Sequence, residues 1–83
     1  MQLTVISPDR SLFEGDADSL VAPAFDGEVG ILPRHAPFMT LLGTGRLVVR
    51  QGENTRSFEV SGGFLQVVDN NVRVVTEKAE AGS

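Results

Sequence analysis

Residues 57–76 read SFEVSGGFLQVVDNNVRVVT and carry the strongest secondary-structure signal in the chain. Polar and apolar side chains alternate from Ser57 to Val60 and nearly so from Val72 to Thr76. Alternation of β-branched and aromatic residues is typical of strands with one buried face. Between these runs, Asp69-Asn70-Asn71 supplies residues that tolerate positive φ in a tight hairpin. This stretch therefore predicts antiparallel strands.

The same two-residue period recurs in runs that begin at Gln2 and at Arg46. Turn signals separate the runs at intervals of about 8–12 residues, and Ser61-Gly62-Gly63 is interpreted as one strand-connecting turn. Nine glycines and four prolines interrupt almost every window long enough for a helix, and only residues 76–81 have a helix-forming composition. We predict an all-β fold, a two-sheet antiparallel β-sandwich of about ten short strands, because two sheets bury both sets of apolar faces.

Length and charge limit the classes of function. With 83 residues the chain is expected to form a single domain over 1–83, with a flexible tail at 77–83. The net charge of −4 and the lack of a basic cluster argue against nucleic acid as a partner. An apolar run of ~20 residues is missing, so no membrane insertion is expected. The N-terminal residues lack a signal-peptide pattern, which favours the cytosol.

The sequence offers few parts for catalysis or metal binding. His35 is the single histidine, there is no cysteine, and no serine lies in a Gly-x-Ser-x-Gly elbow. Asp26 and Glu28 flank Gly27 and are interpreted first as turn residues. Gly62-Gly63 lacks the Lys-Ser/Thr frame of a phosphate loop. We predict no catalytic residue, no cofactor and no metal, although a small enzyme or metal protein built on His35, Glu28 and Asp26 stays an alternative.

A proline-flanked segment is the best candidate for recognition. Residues 27–42 read GEVGILPRHAPFMTLL, in which Pro33 and Pro37 enclose Arg34 and His35. Each proline restricts its own φ and the residue before it, so the loop is expected to be stiff. A stiff loop loses little entropy on binding. At least one of the following pair, Phe38-Met39, is expected near the surface, and the partner is left open by these residues alone.

Residues 27–37, GEVGILPRHAP, closely resemble the Gly-Glu-x-Gly-Ile-x-Pro-x-His-Ala-Pro signature of the epsilon subunits of F-type ATP synthases, called delta in mitochondria. The resemblance continues in order at residues 3–7, 12–15, 40–42 and 45–47. Residues 58–67 resemble the family's Ser-Gly-Gly hairpin. The resemblance implies a β-sandwich of about ten strands and a non-catalytic central-rotor subunit, which couples the gamma subunit to the c ring of a proton- or sodium-translocating enzyme during ATP synthesis.

The resemblance also implies a location and two contact surfaces. The subunit would lie peripherally at the cytoplasmic face of the bacterial plasma membrane. The positions expected to face the polar loops of the c ring are Ser7, Gly27, Glu28, Val29 and Gly30. The positions expected to face gamma are His35, Ala36, Phe38 and Thr40.

One departure from the family limits what is carried over. Many epsilon subunits continue into a C-terminal helical hairpin that restrains ATP hydrolysis or binds ATP, and this chain stops about where that hairpin would begin. Neither inhibition of ATP hydrolysis nor ATP binding is therefore predicted for this chain, and whether the helices are naturally absent or trimmed stays open.

A free-standing β-sandwich that binds a peptide or carbohydrate is the main alternative function. The absence of Trp and Tyr argues against stacking on sugar rings.

Overall fold

The computed structural model describes residues 1–81 of the 83-residue chain, and this part is built from β-strands without a helix. Accordingly, no helix within it is long and apolar enough to cross a bilayer. The predicted all-β class is confirmed. The eight strands are β1 Gln2–Ser7, β2 Arg10–Asp16, β3 Ser19–Ala24, β4 Gly27–Ile31, β5 Phe38–Leu41, β6 Thr44–Gln51, β7 Asn54–Val68 and β8 Asn71–Ala81.

Two long strands, β7 and β8, belong to both layers of the fold. Residues 64–67 of β7 pair with β5 on one side, and residues 63–68 pair with the first part of β8 on the other. This front layer has the order β2-β1-β8-β7-β5. Residues 54–61 of β7 pair with β6, and the back layer has the order β8-β7-β6-β3-β4. The eight continuous strands therefore supply ten strand segments, in agreement with the predicted sandwich.

One strand pair departs from the predicted antiparallel pattern. β1 lies parallel to β8, with Gln2 opposite Asn71 and Ile6 opposite Val75. All other paired strands among the described residues run antiparallel. A parallel pair needs a long connection, and here the intervening six strands form it.

The core lies between the two layers. Buried side chains alternate along the strands, as the two-residue period predicts, and those of both layers form one cluster. Thr76 is the one buried polar side chain among the described residues. Its hydroxyl donates to the Lys78 carbonyl at 2.8 Å and lies 3.4 Å from the Ser61 carbonyl. The apolar members are Met1, Leu3, Val5, Phe13, Ala17, Leu20, Ala22, Ile31, Leu42, Leu47, Val49, Phe58, Val60, Leu65, Val67, Val72 and Val74.

The interpretation of Ser61-Gly62-Gly63 as a turn between strands is wrong. β7 runs through these residues from Asn54 to Val68, and β8 pairs with it on both sides of them. Gly62 and Gly63 have φ values of +73° and +105°, which L-residues with a side chain rarely adopt. The glycines therefore bend one strand from the back layer into the front layer instead of reversing the chain.

The C-terminal segment with a helix-forming composition is a strand in this structure. Residues 78–81 of β8 pair with residues 58–61 of β7. Pairing with β7 outweighs the local helix propensity, which is a weak preference of each residue. Whether the tail at 77–83 is flexible stays a prediction, and residues 82 and 83 lie outside the described part.

Arg56 joins the two layers through a pair of cation–π contacts. Its guanidinium carbon lies 5.5 Å from the ring centre of Phe13 in the front layer and 5.4 Å from that of Phe58 in the back layer. We expect Arg56→Met, which keeps the aliphatic stem, to lower the free energy of unfolding by about 1 kcal/mol. Urea unfolding measures this loss, with Arg50→Met on the neighbouring strand as a control expected to stay within about 0.5 kcal/mol. Equal values for the two variants would contradict the stabilising role of Arg56.

Candidate interface surfaces

The proline-flanked loop between β4 and β5 is held by hydrogen bonds from two of its backbone N–H groups. The His35 N–H donates to the Leu32 carbonyl at 3.1 Å and closes a turn with Pro33 and Arg34 at its central positions. Arg34 has φ +66°, the conformation of the second central residue of a type II turn. The Arg34 N–H donates to Asn70 Oδ1 at 2.8 Å, which ties the loop to the β7–β8 turn.

The imidazole of His35 lies between this loop and β5. Its Nδ1 is 2.8 Å from the Ala36 carbonyl oxygen. Its ring meets that of Phe38 in an edge-to-face arrangement, with centres 5.5 Å apart and an interplanar angle of 62°. Phe38 packs against the core. The structure therefore brings His35 and Phe38 together and leaves the imidazole half-buried.

β5 follows as the edge strand of the front layer, and its side chains alternate between two faces. Phe38 and Thr40 are half-buried on the face toward the core. Met39 and Leu41 point outward, with 63% and 62% of their surface exposed. We call His35, Ala36, Phe38 and Thr40 the His35 surface. Met39 meets the expectation of one exposed residue in the Phe38-Met39 pair.

Leu41 belongs to an apolar row that sequence reasoning missed. Register places Leu41 beside Phe64, Phe64 beside Val75, and Val75 beside Ile6. Leu41 is exposed and the other three are half-buried, on the side of the front layer that faces away from the core. We call these four residues the apolar outer row. The sequence contains a signal for this row, since both faces of residues 64–68 and 72–75 contain apolar residues. The sequence alone does not specify which of the two faces is exposed.

The β3–β4 hairpin carries the acidic candidate surface. Asp26 occupies the turn, Gly27 follows with φ +135°, and Glu28 and Gly30 are exposed on the edge strand β4. Val29 instead points inward and packs against the core. Within residues 27–30, Glu28 is therefore the one side chain that offers charge to a partner, and Asp26 adds a second exposed carboxylate in the turn. We call Ser7 and residues 27–30 the acidic hairpin surface.

Ser7 and Gly27 lie at the same end of the sandwich. Ser7 ends β1 near the bend in β7, because its neighbour Ile6 is paired with Val75 and Val75 is paired with Phe64, the residue after Gly63. Gly27 is paired with Ala24, which bridges to Leu42 at the start of the connection to β6. The Leu42 N–H donates to the Gly63 carbonyl at 3.0 Å, which connects this end to the bend in β7.

The tip of the β3–β4 hairpin also presents an aromatic ring that sequence reasoning did not select. Phe25 is 70% exposed, the largest exposed fraction among the large apolar side chains of the described residues. Its N–H donates to the Leu41 carbonyl at 3.2 Å, so its backbone is fixed while the ring points away. An aromatic residue within a turn signal was the available clue.

The groups considered for a metal or catalytic site are not brought together. Asp26 precedes β4, whereas His35 follows the opposite end of that strand. In the described residues, no three His, Asp or Glu side chains are arranged to hold a metal ion. The same part of the chain has no buried side-chain nitrogen or oxygen that lacks a hydrogen-bond partner.

Comparison with known families assigns nearly the whole chain to one domain type. Residues 1–82 match the family described as ATP synthase, Delta/Epsilon chain, beta-sandwich domain. The match includes the His35 surface, the acidic hairpin surface and the bend in β7. It also supports the two-sheet interpretation of the fold.

Curated relatives carry the same family name. An ATP synthase epsilon chain of Leptospira borgpetersenii is 46% identical over 77 residues, which are 93% of this chain and 61% of that protein. An ATP synthase epsilon chain of Caulobacter vibrioides is 37% identical over 79 residues and is covered to 92%. The chain thus spans about three fifths of the Leptospira relative and nearly all of the Caulobacter one.

Solved structures show the same architecture. A chain in the cryo-EM structure of the Euglena gracilis mitochondrial ATP synthase, with OSCP, F1 and c ring, has a TM-score of 0.88 and 27% identity. The match covers 95% of this chain and 51% of that one. A chain in the central stalk and c-ring structure of the Tetrahymena thermophila mitochondrial ATP synthase has a TM-score of 0.82 at 17% identity, with 95% and 64% covered. The second likeness concerns the fold alone.

Proposed function

The chain belongs to the ATP synthase delta/epsilon chain family, and from this membership we propose that it is a non-catalytic central-rotor subunit of an F-type ATP synthase. Its role is to couple the gamma subunit to the c ring during ATP synthesis. The observation that carries the proposal is the family match over residues 1–82. The Euglena likeness, to a chain in an assembly with F1 and c ring, supports the same role.

The acidic hairpin surface is proposed to meet the polar loops of the c ring. Glu28 is exposed on an edge strand, and Asp26 lies beside it in the hairpin turn. Ser7 lies at the same end of the sandwich. Two exposed carboxylates suit basic or amide groups on a partner, each contributing about 0.2–1 kcal/mol. Phe25, exposed at the tip of the same hairpin, adds apolar area to this contact.

The His35 surface is proposed to meet gamma. His35 and Phe38 form an edge-to-face pair, and Ala36 and Thr40 lie beside them along the loop and β5. Met39 and Leu41 project from the other face of the same edge strand. A large exposed apolar area marks an interaction site more often than isolated exposed residues do. We therefore extend the gamma contact to Met39 and to the apolar outer row.

The proposed location follows from the proposed complex. A rotor subunit held between gamma and the c ring lies peripherally on the membrane, and in a bacterium this is the cytoplasmic face of the plasma membrane. The coupling ion of the proposed complex is a proton or a sodium ion.

Calorimetric titration of the chain with the purified gamma subunit tests the proposal. We expect one-to-one binding with a Kd of about one micromolar or tighter. His35→Ala should weaken binding by about tenfold, while the midpoint of thermal unfolding should hardly change because the imidazole is half-buried.

Glu28→Ala is the matched control, because Glu28 belongs to the other proposed contact. This variant should bind gamma like the wild type. The absence of binding at high concentration would overturn the rotor assignment. A loss of stability in His35→Ala would show instead that His35 supports the core.

A further inference from the structure

We infer that His35 presents its Nε2 atom to gamma as a hydrogen-bond acceptor, so that the partner group is an N–H or O–H donor and binding weakens on acidification. This inference rests on the proposed function. It adds the chemistry of one contact and a pH dependence of the complex.

The hydrogen bond within the loop determines which nitrogen carries the proton. Nδ1 of His35 lies 2.8 Å from the carbonyl oxygen of Ala36. A carbonyl oxygen can only accept, so Nδ1 is the donor. A neutral imidazole has one N–H, and its other nitrogen then carries a free lone pair. In the neutral form, Nε2 is therefore an acceptor.

Nε2 is free to serve a partner. Within residues 1–81, the hydrogen bond through Nδ1 is the only one that the imidazole makes. Over the same residues, no carboxylate oxygen lies within 4.0 Å of either ring nitrogen. Turning the ring by 180° about the Cβ–Cγ bond would put the carbon Cδ2 in the place of Nδ1 and break the hydrogen bond to Ala36.

The charges around the imidazole determine the effect of protonation. Arg34 is the other charged group of the loop, and Asp69 lies in the β7–β8 turn that holds the loop through Asn70. β5 adds no charged residue. A second proton, on Nε2 of His35, would turn this atom from an acceptor into a donor. It would also add a positive charge to the residue that directly follows Arg34 in the sequence. Both changes oppose binding to a partner donor.

Nitrogen-15 NMR of the chain alone tests the tautomer directly. His35 is the single histidine, so its two ring nitrogens can be assigned without ambiguity in a chain prepared without a histidine tag. At pH 8 we expect the Nδ1–H tautomer. A spectrum of the Nε2–H tautomer would overturn the inference, whatever the outcome with gamma.

Titration against gamma at pH 8.0 and pH 5.5 tests the consequence. Imidazoles commonly gain their second proton in this range, and we expect the Kd to rise by about tenfold toward the lower pH. His35→Gln keeps an acceptor but cannot titrate, so it should bind almost as tightly as the wild type at pH 8.0 and show less pH dependence. His35→Leu should bind weakly at both values.

The outcomes separate this inference from the proposed function. Tight binding with the same Kd at both pH values would overturn the inference and leave the rotor assignment intact. An equal pH dependence in the wild type and in His35→Gln would also overturn it. A chain that fails to bind gamma at either pH would overturn the rotor assignment and the pH coupling with it.

Discussion

Replacing Gly63 with alanine is expected to unfold the domain at 25 °C. A Cβ atom at this position would overlap the carbonyl oxygen of Val75 and lie 2.8 Å from the Cα of Thr76. Both are backbone atoms of β8, so relief requires one of the two strands shared by the layers to move. The φ of +105° adds conformational strain. We expect a loss of at least about 4 kcal/mol, comparable with the whole stability of a small domain.

Two other glycines separate the causes of this loss. At Gly62, with φ +73°, a Cβ would meet the end of the Glu77 side chain, which can move away. Gly62→Ala should therefore cost only about 1–2 kcal/mol. At Gly30, an added Cβ would have no atom beyond its chain neighbours within 4 Å, and φ lies outside the range that strains L-residues. Gly30→Ala should therefore leave the free energy of unfolding nearly unchanged. Circular dichroism during urea unfolding measures the free energy of unfolding of the three alanine variants. A stable, cooperatively folded Gly63→Ala variant would show that the bend tolerates a side chain.

Val74→Asp, like Gly63→Ala, is expected to prevent the domain from folding. Val74 is fully buried, and its partners in register are Leu65 of β7 and Val5 of β1. An aspartate here would place a carboxylate among aliphatic side chains in the middle of the front layer. Burying an unpaired charge costs several kcal/mol, more than this small core can offset.

The neighbouring residue provides a matched control for the charge. Arg73→Asp introduces the same side chain one position earlier, on the exposed face of β8. Its cost should stay below about 1 kcal/mol. Nuclear magnetic resonance spectra and thermal unfolding of both variants make the comparison. A normally folded Val74→Asp together with an unfolded Arg73→Asp would mean that the two faces of β8 are assigned the wrong way round.

The strands were largely predictable because alternation directly reflects burial on one face. Phe58 and Val60 alternate with polar neighbours and are buried as expected. The hairpin at Asp69 and Asn70 was also predictable, since both residues adopt positive φ there. Hairpin signals depend on a few adjacent residues, so one sequence is sufficient to detect them.

Bends and strand partners were less predictable because they depend on distant parts of the chain. Two consecutive glycines with positive φ are compatible with a turn and with a bend, and the continuous pairing with β8 decides between them. The parallel pairing of β1 with β8 leaves no local signal. Residues far apart in sequence determine both features.

The positions of the candidate contact residues could be predicted only in part, and their contacts with a partner stay predictions. His35 and Phe38 do lie together, as the proposed surface requires. The inward direction of Val29 and the exposure of Phe25 were missed. Both depend on which face of the β3–β4 hairpin the remainder of the sandwich covers, and one sequence does not specify this.

The parallel pairing of β1 with β8 has a consequence for synthesis on the ribosome. β8, the partner of β1 on the side away from β2, leaves the exit tunnel roughly seventy residues after β1. At typical translation rates this delay lasts several seconds. During that time β1 and β2 present an unpaired edge with apolar side chains, such as Leu3 and Val5, uncovered. The front layer can therefore close only after β8 has emerged, and until then the nascent hairpin is a natural client for a ribosome-bound chaperone.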